Sequence, residues 1–189
     1  LIQQATDSPW SHVALIVRLD AIDRILLFES VETFGVLLGT QDIARNRADA
    51  LRKKLDVLGN RSAQKPVVRV FIQAGSEAEY SLGGDHILSD VLSLCGATNV
   101  FGDSSALAPK ISVESVIAAK PDLVLVGRAG APAMPTSDTQ SLAYWKVAGL
   151  PAARPGHVMM IDADALYRPG PRLIDAATRI CDVIDQVRK

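Results

Sequence analysis

The chain has 189 residues, 48% of them hydrophobic, which is enough to bury the core of one domain. Its formal net charge is −1, so no electrostatic field draws it to nucleic acid or to an acidic membrane. No apolar run is long enough to span a bilayer, and we expect no membrane insertion. The first residue is Leu and no signal peptide is visible, so we expect a mature, cleaved or fragmentary chain.

The amino-terminal stretch predicts a β-hairpin, with apolar strands at residues 11–18 and 24–29. The stretches DSPWSHVALIVR and ILLFESVETFGV resemble permuted papain-like (NlpC-type) hydrolases related to cell-wall peptidases. The resemblance would pair His12 with a cysteine nucleophile at the start of a later helix, and Glu29 could lie near it. Cys95 and Cys181 instead fall inside or at the end of predicted helices. We therefore expect no catalytic residues and no enzyme.

The next segment predicts one long helix that begins after Thr40 and ends at Gly59-Asn60. Its apolar residues recur at steps of three and four and form one stripe: Ala44, Ala48, Leu51, Leu55 and Leu58. Basic residues lie mostly off this stripe and are diluted by aspartates. A solvated helix face is therefore favoured over a nucleic-acid patch.

From residue 66 onward, strands alternate with helices. Buried strands are predicted at residues 67–72, 123–126 and 157–161, and a final helix begins at Pro171. Alternation of this kind is typical of parallel strands covered on both faces. The predicted fold class is α/β: a three-layer α/β/α sandwich with about four parallel strands, preceded by a long helix and the hairpin.

Three segments carry a second resemblance: LGGDHILSDVLSLCGATNVF, SVESVIAAKPDLVLV and DADALYRPGPRLIDAATRICDVI. In this order they resemble the C-terminal lobe of periplasmic substrate-binding proteins of ABC importers for cobalamin and iron siderophores. The resemblance covers about residues 35–189. It implies a hairpin of different origin at 1–34, a connecting helix at 35–62 and a substrate-binding lobe at 63–189. The two resemblances meet near residues 33–39. Three origins of the chain therefore remain open: a fragment, a gene fusion or an engineered chimera without function.

Ligand sites of open parallel sheets lie beyond the carboxyl ends of the strands, which selects residues 73–82, 127–139 and 162–170. In the resembling family these loops face the ligand cleft. Tyr80 and Tyr167 would stack on a flat ligand. Asp164 and Arg168 would hydrogen-bond to it. Ala74 and Ala108 stand where cobalamin binders of the family carry large aromatic residues, so cobalamin and siderophore ligands both remain open.

The same resemblance implies a disulfide between Cys95 and Cys181, and hence the oxidising periplasm. In a full-length relative the location would be periplasmic, or lipid-anchored on the extracellular face. The resemblance also makes Glu114 the residue that docks on arginines of the ABC permease. A permuted papain-like thiol hydrolase remnant is the alternative function.

No cofactor and no metal site are expected. His86 and His157 lack partners at the spacing of metal ligands. The SLGGD stretch at 81–85 lacks the spacing and the lysine of a phosphate loop, and predicts a backbone turn.

Overall fold

The structure is a computed structural model that describes residues 27–75, 79–132, 134–164 and 171–188. The chain divides into two compact units at Ala50–Leu51. Among the described helices, none combines the length and apolar character needed to cross a bilayer. The first predicted strand and His12 lie outside the described residues.

The first unit contains helix α1 (Leu27–Leu37) and the beginning of helix α2 (Gln41–Ser62). The second predicted strand, at 24–29, is therefore wrong from Leu27 onward. Apolar residues recur at helical spacing through Leu38, and this longer period prevails over the short apolar run. Gly39 adopts a φ of 69° and ends the helix, with the Thr40 N–H donating to the Gly35 carbonyl.

Helix α2 continues through Gly59 and Asn60 to Ser62, so its predicted end at Gly59-Asn60 is wrong. A glycine inside a helix costs only about 1 kcal/mol. A Cβ on Gly59 would approach the Leu94 Cδ1 to 3.3 Å, so the missing side chain makes room for close packing. The chain leaves the helix just before Gln64, which has a φ of 65°.

One five-stranded sheet forms the centre of the second unit, in the order β2-β1-β3-β5-β4. The strands are β1 (Val68–Ala74), β2 (Ala97–Asn99), β3 (Leu123–Arg128), β4 (Thr136–Ser137) and β5 (Val158–Asp162). The first, second, third and fifth strands are parallel, which confirms the predicted number. Strand β4 is antiparallel to β5 and was not predicted, because two residues are too short to show a period.

Helices cover both faces of this sheet. Along β1, Val70 and Ile72 pack into one core and Phe71 into the other, as the two-residue period of a strand requires. Helix α3 (Ile87–Leu94), helix α6 (Pro171–Val187) and the end of α2 cover the first face. Helix α4 (Val113–Ala119) and helix α5 (Thr139–Val147) cover the second. The predicted three-layer α/β/α sandwich is confirmed.

Covalent and ionic links hold α6 in place. The predicted disulfide joins Cys95, at the end of α3, to Cys181 in α6, with 4.9 Å between their Cα atoms. Near the end of α6, Asp185 accepts hydrogen bonds from three cations: Lys65, Arg61 and Arg188. Partial burial alone would raise the pKa of the Asp185 carboxyl, but these bonds lower it to about 2. The carboxylate therefore stays ionised well into the acid range.

Candidate functional site

The carboxyl ends of β1, β3 and β5 meet at one edge of the sheet. Register places Ala74 beside Gly127 and Arg128 beside Asp162. The three loops selected from the sequence therefore begin at this edge, which we call the carboxyl edge. In parallel α/β sheets this is where ligands bind.

The four predicted ligand contacts are only partly described. Tyr80 follows β1 and is 44% exposed, and Asp164 follows β5 and is exposed. Strand β3 lies between β1 and β5, so these two residues come from opposite sides of β3. Tyr167 and Arg168 lie outside the described residues.

Backbone hydrogen bonds hold residues 79–83, which we call the Tyr80 segment. The Tyr80 carbonyl accepts a bond of 3.0 Å from the Ala74 N–H at the end of β1. On its other side, the Ser81 N–H donates to the Pro109 carbonyl, and the Ile111 N–H donates to the Glu79 carbonyl. The Tyr80 side chain is thus carried by a backbone segment that is hydrogen-bonded on both sides.

Side chains and close backbone packing complete this support. The Asn99 Nδ2 donates to the Leu82 carbonyl at 2.7 Å, and the Ser89 Oγ donates to the Gly83 carbonyl at 3.0 Å. A Cβ on Gly83 would collide with the Ala106 carbonyl, and one on Gly84 with the Gly102 carbonyl. The SLGGD stretch is therefore a tightly packed turn, as predicted, and its glycines permit close approach of two backbones.

The two described histidines have structural partners. His86 caps α3, since its Nδ1 accepts from the Leu88 N–H at 3.1 Å, and burial lowers the pKa of its imidazole. The His157 Nδ1 lies 2.8 Å from the Asp122 carbonyl oxygen. Within the part of the chain that the structure describes, no three His, Cys, Asp or Glu side chains are grouped to hold a metal ion.

An arginine and an aspartate form an ion pair at the carboxyl edge that the sequence did not reveal. Arg128 is the last residue of β3, and its Nη2 donates to the Asp138 Oδ2 at 2.9 Å. The Asp138 side chain is 4% exposed, and its Oδ1 caps α5 by accepting from the Ser141 N–H at 2.9 Å. An aspartate before a helix is a recognisable capping signal. Arg128 has no comparable signal, since the predicted strand ends at residue 126 and the observed strand continues to Arg128.

The buried side-chain amide of Gln73, in β1, contacts two residues of α5. The Gln73 Oε1 accepts from the Trp145 Nε1 at 2.8 Å, and the Gln73 Nε2 lies 3.4 Å from the Ser141 Oγ. Phe71 packs edge-to-face on Trp145, with 5.5 Å between ring centroids. These contacts hold α5 against β1, through Trp145 in its last turn and Ser141 in its first.

The acidic residues after β5 shape a turn. The Asp164 N–H donates to the Asp162 Oδ1 at 3.1 Å, which is the bond of an Asx-turn. One carboxylate oxygen of Asp162 is thereby used by the backbone.

Glu114 lies in the first turn of α4, which Ser112 caps by accepting from the Ser115 N–H. The side chain is exposed. Hydrogen bonds from its own backbone N–H and from Ser112 lower the pKa of the Glu114 carboxyl. The group is thus an exposed, ionised carboxylate.

In a comparison with known proteins, residues 21–165 match the periplasmic binding protein family. The match includes residues 21–34, part of the segment predicted to have a different origin. The Vitamin B12-binding protein of Vibrio parahaemolyticus is 30% identical over 138 residues, which are 73% of this chain and 48% of that protein. The chain spans about half the length of the curated relatives it matches.

Solved structures agree with this match. The periplasmic vitamin B12 binding protein of Vibrio cholerae superposes with a TM-score of 0.71 at 25% identity, covering 86% of this chain and 62% of that one. An ABC-type Fe3+-hydroxamate transport protein from Saccharomonospora viridis has the same fold, with a TM-score of 0.69, 18% identity and coverage of 84% and 55%. The length of the family match and the shared fold lead to one conclusion: this chain belongs to the periplasmic binding protein family.

Proposed function

We propose that this chain forms a substrate-binding lobe of an ABC importer for cobalamin, a siderophore or a similar metal-chelate ligand. The observation that carries the proposal is the carboxyl edge, where an ordered Tyr80 segment and the ends of β3 and β5 come together in a member of this family. The proposed ligand contacts are Tyr80, Asp164, Tyr167 and Arg168. The family consists of substrate-binding components of transporters and not of enzymes.

A thiol hydrolase is not favoured, because it needs a free cysteine of low pKa. The chain has two cysteines, and both are used in the disulfide. The same disulfide supports a periplasmic location, since such bonds persist in oxidising compartments.

Binding is tested by titration calorimetry of the 189-residue chain with cyanocobalamin, hemin and a ferric hydroxamate. We expect at least one ligand to bind, with a Kd weaker than about 1 µM, because one lobe leaves much of a ligand's surface in water. Tyr80→Ala and Arg168→Ala should each weaken binding. Tyr144→Ala is the matched control, since Tyr144 is a similarly exposed tyrosine on α5.

Two results would count against this proposal in different ways. If none of the three chelates binds at millimolar ligand, the chain is not a binding lobe for this class. If one binds with submicromolar affinity that survives both Tyr80→Ala and Arg168→Ala, the ligand site lies elsewhere.

We further propose that Glu114 docks the chain on arginines of the permease. An exposed carboxylate at a helix start suits a rim contact with a guanidinium, and such a contact is weak and screened by salt. Because the pKa of Glu114 is lowered, docking should not change between about pH 5 and pH 8.

The measurement is a pull-down with the cognate permease in nanodiscs at low and high salt. Glu114→Gln should reduce capture at low salt, whereas Asp103→Asn, which neutralises another exposed acid before the same helix, should not. Equal capture of the parent and Glu114→Gln at low salt would show that Glu114 is not the docking residue.

A further inference from the structure

We propose that Arg128 is a specificity-determining residue that donates a hydrogen bond to a carboxamide or carboxylate oxygen on the rim of the bound ligand. This inference rests on the proposed function, because it takes the carboxyl edge to be the ligand site. It adds a contact that lies outside the four residues expected from the family resemblance.

The position of Arg128 supports this role. It ends β3, which is flanked by β1 and β5, and in register it lies beside Asp162 at the end of β5. The Tyr80 segment follows β1 on one side, and Asp164 follows β5 on the other. Arg128 therefore stands at the middle of the edge where the loops begin.

The guanidinium is held in one orientation. Its Nη2 is bound to Asp138, which is buried and is itself fixed as the cap of α5. Its Nε is buried, without a hydrogen-bond partner among the residues that the structure describes. Its Nη1 faces the exposed side, where the contact with the Gln140 Oε1 is long, at 3.4 Å. With 30% of the side chain exposed, the Nη1 end is the part available to a ligand.

This geometry favours recognition of an oxygen atom over attraction of a charge. Asp138 neutralises the guanidinium, so the pair has no net charge for long-range attraction. A held arginine also loses little side-chain entropy when it binds, whereas a free surface arginine must be immobilised. The N–H donors left at Nη1 then select an acceptor oxygen at one point of the ligand rim.

The test compares ligands with and without such oxygens. Cyanocobalamin carries carboxamides on its rim and hemin carries two carboxylates, while iron etioporphyrin has the same ring as hemin with no oxygen substituent. Binding of each is measured by calorimetry to the parent chain, Arg128→Lys and Arg128→Gln. Arg154→Gln is the matched control, since Arg154 is an exposed arginine before β5, at the opposite edge of the sheet.

For the ligand that binds, Arg128→Gln should weaken affinity about 10- to 100-fold, as expected for loss of a hydrogen bond from a charged donor. Arg128→Lys should recover part of this loss. Arg154→Gln should leave affinity unchanged. If hemin is the ligand, iron etioporphyrin should bind the parent chain and Arg128→Gln with equal affinity. If cyanocobalamin alone binds, the ligand oxygen that accepts from Arg128 belongs to a carboxamide.

Loss of Arg128 leaves the Asp138 carboxylate buried without its cation, so the variant itself could unfold. The double variant Arg128→Gln/Asp138→Asn removes that charge and keeps a capping side chain. If the folded double variant binds an oxygen-bearing ligand as tightly as Asp138→Asn alone does, the role of Arg128 is overturned while the proposed function stands. If the parent binds none of the probes, the proposed function fails, and the role of Arg128 fails with it.

Discussion

Removal of the Cys95–Cys181 disulfide should lower the free energy of unfolding by about 4 to 5 kcal/mol. The bond joins residues 86 positions apart, so it closes a long loop in the unfolded chain. Closing a long loop removes much of the entropy that would favour unfolding. The bond links α6 directly to the end of α3, and both cysteines are buried in the first core.

The measurement is urea unfolding of the parent and of Cys95→Ala/Cys181→Ala, each with and without a reductant. Alanine is chosen because both sulfur atoms lie in the apolar core, where a serine hydroxyl would add its own desolvation cost. Reductant should shift the midpoint of the parent and leave that of the double variant unchanged. Two titratable thiols in the denatured, unreduced parent would show that the bond is absent.

Truncation of Trp145 should be nearly as costly. The side chain is completely buried in the second core, and Trp145→Ala is expected to cost about 3 to 5 kcal/mol. Trp145→Phe keeps most of the volume but removes the donor to the Gln73 Oε1, at an expected cost of about 1 to 3 kcal/mol.

A double-mutant cycle separates the hydrogen bond from the packing. Gln73→Leu together with Trp145→Phe removes both partners, so the double variant should be more stable than the sum of the single losses predicts. Thermal and urea unfolding give the four free energies. If the two single losses simply add, the amide and the indole do not stabilise each other, and the position of α5 depends on packing alone.

Much of the second unit was predictable because its signals are local. Residues 67–72 and 123–126 are short apolar runs bounded by turn residues; the first coincides with β1 from Val68 onward, and the second lies within β3. The errors occurred where a local signal was ambiguous or too short. Residues 27–29 suit a strand as well as a helix, and β4 has only two residues.

The site was predictable at the level of loops and not of contacts. The rule that ligands bind beyond the carboxyl ends of parallel strands selected the loops that contain Tyr80 and Asp164. The supporting residues escaped notice because their partners are distant in the chain. Gln73 and Trp145 are 72 positions apart, and Asn99 and Leu82 are 17 apart.

The sequence by itself therefore determined the alternation of strands and helices, the parallel sheet and the edge at which the candidate site lies, because each follows from hydrophobic period and chain order. Only the tertiary structure decided which polar side chains meet there. Arg128 becomes an oriented donor because α5 brings Asp138 beside the end of β3. The backbone that carries Tyr80 is held because residues 107–111 pair with its segment. These pairings depend on folded distances between atoms, and no periodicity in the chain encodes them.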